Sequence, residues 1–139
     1  MDASTHIRAS LMVVAAFLAM GLGLEAMLGV RVESLLHDEI RREMLRLGHA
    51  HGALLGLLNV GLSWAMHALS TPAAWARRIR VAGIVGALCV GLGFTAGGVW
   101  HGPTDPGPLV LLVPAGALLL ISAVLAVVRL RSSPESEQG

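Results

Sequence analysis

The chain carries little charge: 14% of its 139 residues are Asp, Glu, Lys or Arg, where a soluble domain usually carries about 25%. It has no tyrosine and no lysine, so every basic residue other than histidine is arginine. A single cysteine, Cys89, excludes an intramolecular disulfide. The net charge of +1 gives no ground for nucleic-acid binding. What fills the space is apolar: 55% of the residues are hydrophobic. A bilayer core asks for about 20 apolar residues per helical span. Four stretches approach that length, Ala9–Val30, Gly52–Leu69, Val81–Trp100 and Leu109–Val128. The expected fold is all-α, an integral membrane four-helix bundle forming one domain over 1–131, with 132–139 a disordered tail. The first stretch is too long, and too well followed by others, to be a removable signal peptide.

Arginine placement sets the expected orientation. Arg8, Arg77, Arg78, Arg80, Arg129 and Arg131 would lie on one side, Arg31, Arg41, Arg42 and Arg46 on the other. Basic residues favour the cytoplasmic face, which puts both termini there, most naturally in a bacterial inner membrane. Between the first two stretches, "RVESLLHDEIRREMLRLGH" spaces its apolar residues at helical intervals among charges. That pattern predicts a short amphipathic helix lying on the lipid interface. Pro114 is expected to kink the last span.

An ionisable residue within a span is by default a functional candidate. Glu25 lies towards the far end of the first stretch, His49 and His51 open the second, and Trp100 and His101 close the third. With His37 and Asp105 just beyond, these gather in one leaflet, while His6 and His67 read as ordinary interfacial residues. At about 100° per residue, His49 shares a face with Gly52, Gly56 and Ser63, with Asn59 on its flank. His51 shares one with Leu55, Leu58 and Leu62. The ordinary reading of so many glycines is close helix packing. The sharper one is a slot for a flat ligand beneath His49. Glu25, His49, His51 and His101 form no compact zinc motif, whereas a haem needs one proximal histidine and an apolar slot. His49 is the better candidate for gripping a ligand inside the bundle, and the ordinary alternative is that each histidine caps a helix end or hydrogen-bonds within the interface.

The stretch "GHAHGALLG" resembles the second-helix motif of the styrene oxide isomerases, in which a histidine precedes a small residue, a Gly-Pro pair and an Asn-Gly. "FLAMGLGLEAMLGVRVE" is similar to that family's first helix, and "GGVWHGPTDPGPLVLLVPAGALLLISAVLAVV" to its final turn and helix. The resemblance implies four spans, a trimer, and haem b bound through His49 and lined by Gly52, Gly56, Ser63 and Trp100. It implies isomerisation of a small apolar epoxide to a carbonyl compound, with the iron as Lewis acid. The chain departs from the family at Leu55, where an asparagine orients substrate, and near Phe94 and Thr95, where a tyrosine stands. Asn59 and Glu25 are the residues left to act as catalytic groups. Two other readings remain: a haem protein for redox, sensing or storage, with His49 as iron ligand and His51 or His101 as a second, and a cofactor-free structural or assembly protein of the membrane, its partners lipid and further copies of itself.

Overall fold

The computed structural model describes residues 1–130, which form five α-helices and one 3-10 turn. The tail expected to be disordered, together with Arg131, lies outside the described residues. The helices are α1 (Ala3–Gly29), α2 (Glu33–Leu36), α3 (Glu39–Ala68), α4 (Ala73–Val99) and α5 (Leu112–Arg129), with the 3-10 turn at Pro108–Leu111.

Local chemistry fixes where each helix starts and stops. The Asp2 carboxylate caps α1 by accepting the Thr5 backbone N–H at 2.7 Å. That bond holds its pKa down to about 2, with further contributions from the Thr5 side chain and then the Ser4 hydroxyl. At the other end of α1 the Val32 N–H bonds the Met27 carbonyl and the Arg31 N–H bonds Leu28, with Arg31 at a positive φ of 56°. This is the Schellman closure. The same pattern closes α3, where Ser70 takes the positive φ and Thr71 N–H reaches back to the Met66 carbonyl. Pro72 follows and α4 begins.

The helices lie in the order α1, α3, α4, α5, each packed mainly on its chain-order partner. Glycines allow the close approach. Gly48 of α3 abuts Thr95 and the Gly91 carbonyl of α4, while Gly86 of α4 meets the Gly116 carbonyl of α5. Small residues without Cβ are the usual device where helices associate in lipid. A core of Leu62, Met66, Ala76, Ile79, Ala123 and Val127 brings the end of α3, the start of α4 and the end of α5 together. The N-terminus joins this end, where Arg80 Nη1 donates to the Met1 carbonyl. Large apolar side chains such as Met12, Leu22, Trp64, Leu111 and Leu118 point outward and stay exposed, as expected of a surface solvated by lipid.

The sequence reading of a four-span bundle does not hold. Among the described residues three helical segments are long and apolar enough to cross a membrane, Ala3–Gly29, Ala73–Val99 and Pro108–Arg129. The exception is α3. Charges crowd its first third, and His49, His51, Asn59, Ser63 and His67 dilute the remainder. The chain is therefore an all-α membrane protein with three candidate spans and one long, more polar helix packed between α1 and α4. The separate interfacial helix is also corrected. One turn, α2, forms, the chain breaks at His37, and Asp38 caps α3 by accepting the Arg41 N–H at 2.9 Å. Pro114 falls in the first turn of α5, after the 3-10 turn, so it sits at a helix start, where no kink is required.

Candidate functional site

The two histidines of "GHAH" stand two residues apart on α3 and so face nearly opposite ways. His49 turns towards α1, its ring pressed against the bare backbone of Gly21. Its Nδ1 is buried and has no hydrogen-bond partner. The slot expected beneath it is filled. The Phe17 ring of α1 occupies the recess left by Gly52 and reaches Gly91 of α4 as well. Val14 and the Ser10 carbonyl occupy the recess at Gly56. The glycine face of α3 is a packing surface against α1.

His51 turns the other way, into an apolar groove that α3 and α5 form over α4. The groove encloses about 470 Å³ and is lined by Leu55, Leu58, Phe94, Ala117 and Ile121 among others. His51 is the polar side chain among the described residues lining it. Its Nδ1–H donates to the Leu47 carbonyl at 2.9 Å, and its ring packs on Phe94 with centroids 5.1 Å apart. A neutral imidazole that donates through Nδ1 keeps its lone pair on Nε2. Metal-bound histidines are commonly oriented by a hydrogen bond of this kind. His51 therefore has a ring nitrogen able to meet a ligand, and the leucine face it shares is one wall of a groove.

The remaining candidates are dispersed. Trp100 and Glu25 are exposed, the first at the end of α4 and the second near the end of α1. His101 donates from Nε2 to Asp38 Oδ2 at 2.7 Å and from Nδ1 to the Gly102 carbonyl at 2.6 Å. Both ring nitrogens face acceptors and neither is free for a metal. Arg41 Nε lies 3.4 Å from the same Asp38 oxygen, an ion pair without hydrogen-bond alignment. The Arg41 backbone N–H is the main reason the Asp38 pKa is lowered; burial opposes it and His101 adds to it. Among the described residues no three His, Cys, Asp or Glu side chains gather as a metal site.

Asn59 and Ser63 belong to a different place. Asn59 lies ten residues after His49, about 15 Å along the helix. Both side chains meet His6 of α1, which is wholly buried rather than interfacial. The Asn59 amide donates to the Gly83 carbonyl at 3.1 Å and to the Leu55 carbonyl at 2.8 Å, so its Oδ1 accepts. His6 Nε2–H donates to that oxygen at 3.2 Å, which leaves Nδ1 to accept the Ser63 hydroxyl proton. Every member is satisfied, and the network ties α1, α3 and α4 together. The signal was present in the sequence: His6, Ser10, Val14, Phe17 and Gly21 recur at helical spacing on one face of α1, and all five are buried.

The chain matches no protein-family model, no curated protein and no solved structure. The resemblance to the styrene oxide isomerases is corrected accordingly. That family has four spans where the described residues of this chain hold three candidates, and no family model supports the likeness. The trimer rested on that resemblance and has no other support.

Proposed function

We propose that this membrane protein binds haem b in the α3–α4–α5 groove, where His51 would hold it through Nε2. The observation that carries the reading is the hydrogen bond from His51 Nδ1 to the Leu47 carbonyl, within a groove otherwise apolar. Bound there, the group would supply one-electron or Lewis-acid chemistry at its iron. The chain's own part is to hold and shield. The Leu47 carbonyl fixes the ring, and Phe94 packs on it. Leu55, Ala117 and Ile121 give the site apolar walls.

Redox or haem carriage suits this groove better than epoxide isomerisation. An isomerase must orient the substrate oxygen with a fixed donor. Leu55 and Phe94 flank His51, while Asn59 is spent on His6 and Gly83 and Glu25 is on α1. The test is the absorption of protein produced with ample haem: a Soret band present in the wild type and lost in His51→Ala. A colourless wild type would favour the cofactor-free structural reading, which the filled glycine recesses also suit.

The same proposal places the end holding Met1 and the α3–α4 turn in the cytoplasm, because Arg8, Arg77, Arg78, Arg80 and Arg129 lie towards it, with α3 carrying the chain back along the bundle between α1 and α4 although it is not itself a candidate span. Reporter fusions after Arg129 and at Pro106 test this. A cytoplasmic signal from Pro106 would reverse it.

A further inference from the structure

At that same end a second cavity, about 380 Å³, opens between the start of α1, the end of α3 and the start of α4. Ser63, His67, Thr71, Ala73 and Arg80 line it, and no acidic side chain does among the described residues. Two of its polar atoms are buried without a hydrogen-bond partner, Arg80 Nε and Thr71 Oγ1. Arg80 uses Nη1 on the Met1 carbonyl, at 3.3 Å, which positions the guanidinium and leaves Nε spare. Ser63 is no donor here, since its proton goes to His6 Nδ1. Unpaired buried donors cost about 1–3 kcal/mol each, so two in one cavity mark a missing acceptor.

The backbone adds to this. Pro72 precedes α4, and its carbonyl takes the N–H groups of Trp75 and Ala76. The N–H groups of Ala73 and Ala74 have no acceptor within the helix and point out of its N-terminus, where an anion is favoured. A guanidinium, an imidazole and a hydroxyl therefore line the cavity beside the start of α4, and each is able to donate. The site also lies at the level of Trp75, whose ring carries Arg78 at 5.3 Å, an arrangement that suits the lipid–water boundary.

We infer that this cavity binds a phosphate-type oxyanion, held by Arg80, Thr71, His67 and the start of α4. Both a free phosphate and the phosphate of an anionic lipid headgroup have this chemistry. The test is the thermal stability of detergent-purified protein, titrated with inorganic phosphate against matched chloride. A second arm titrates phosphatidylglycerol against diacylglycerol of the same chains. The wild type should show a saturable rise in Tm. A rise with inorganic phosphate identifies a free anion, and a rise with phosphatidylglycerol alone identifies a headgroup. Arg80→Gln should weaken the apparent affinity about tenfold, as loss of one charged donor does. Thr71→Val, which keeps the side-chain shape, should weaken it less but measurably, and it carries the test if Arg80→Gln does not fold. No response to either ligand, an equal response to diacylglycerol, or an unchanged affinity in Thr71→Val would overturn the site.

Discussion

Phe17→Ala removes the ring that fills the recesses at Gly52 and Gly91, and so wedges α1 against both α3 and α4. The residue is 5% exposed. In soluble cores Phe→Ala costs about 3–5 kcal/mol through lost transfer energy and the cavity left behind. Lipid is as apolar as the bundle interior, so the transfer share shrinks and packing dominates. We expect about 3 kcal/mol, read from unfolding in detergent. The stronger test is a cycle with Gly91→Ala. In the native chain the added Cβ collides with the Phe17 ring and should destabilise the bundle severely. In Phe17→Ala the same methyl enters the vacated space and should be neutral or restore stability. If Gly91→Ala is equally damaging in both backgrounds, the glycine is not there for Phe17. If Phe17→Ala folds unchanged and takes up more haem beside His49, the recess is a ligand slot after all.

Asn59→Ala should destabilise the bundle by about 1–3 kcal/mol, the cost of leaving the buried His6 Nε2–H without an acceptor. The same unfolding measurement checks it, and a change indistinguishable from zero would show that the network contributes no net stability. Asp38 titrates below its ordinary value in the fold because the Arg41 backbone N–H and His101 favour its charged form. Its contribution is therefore fully present above about pH 4, the unfolded value, and is lost as pH falls through the lowered folded pKa. Asp38→Asn should flatten the acid limb of a stability–pH profile. An acid limb identical to the wild type would sink that assignment.

The sequence made the all-α membrane class legible, because long apolar runs with few charges allow little else. It made the packing role of the glycines legible too, since small residues recur where helices approach. The helical wheel also separated His49 from His51 correctly. It failed at the next step, because a wheel says which residues share a face and not which neighbour covers it. Phe17 sits 35 residues before Gly52, and no local pattern announces that the one will fill the other. The leucine face of His51 read as a wall without a cavity, because the opposite wall comes from Phe94, Ala117 and Ile121 on α4 and α5. His6 was missed for the converse reason: taken singly a histidine near a chain start looks interfacial, and only its register with Ser10 and Phe17 marks the buried face. The count of spans differs at α3, where His49, His51, Asn59, Ser63 and His67 interrupt the apolar run.

The measurement that bears most directly on the central proposal is the absorption spectrum of haem-loaded protein in three forms: wild type, His49→Ala and His51→Gly. The wild type should show a Soret band that His49→Ala retains at full occupancy. His51→Gly should lose it and regain it on addition of free imidazole, which shows that the fold survives and the ligand alone is missing. Loss of the band in His49→Ala with full retention in His51→Gly would contradict the account and return the iron to the α1 side of the bundle.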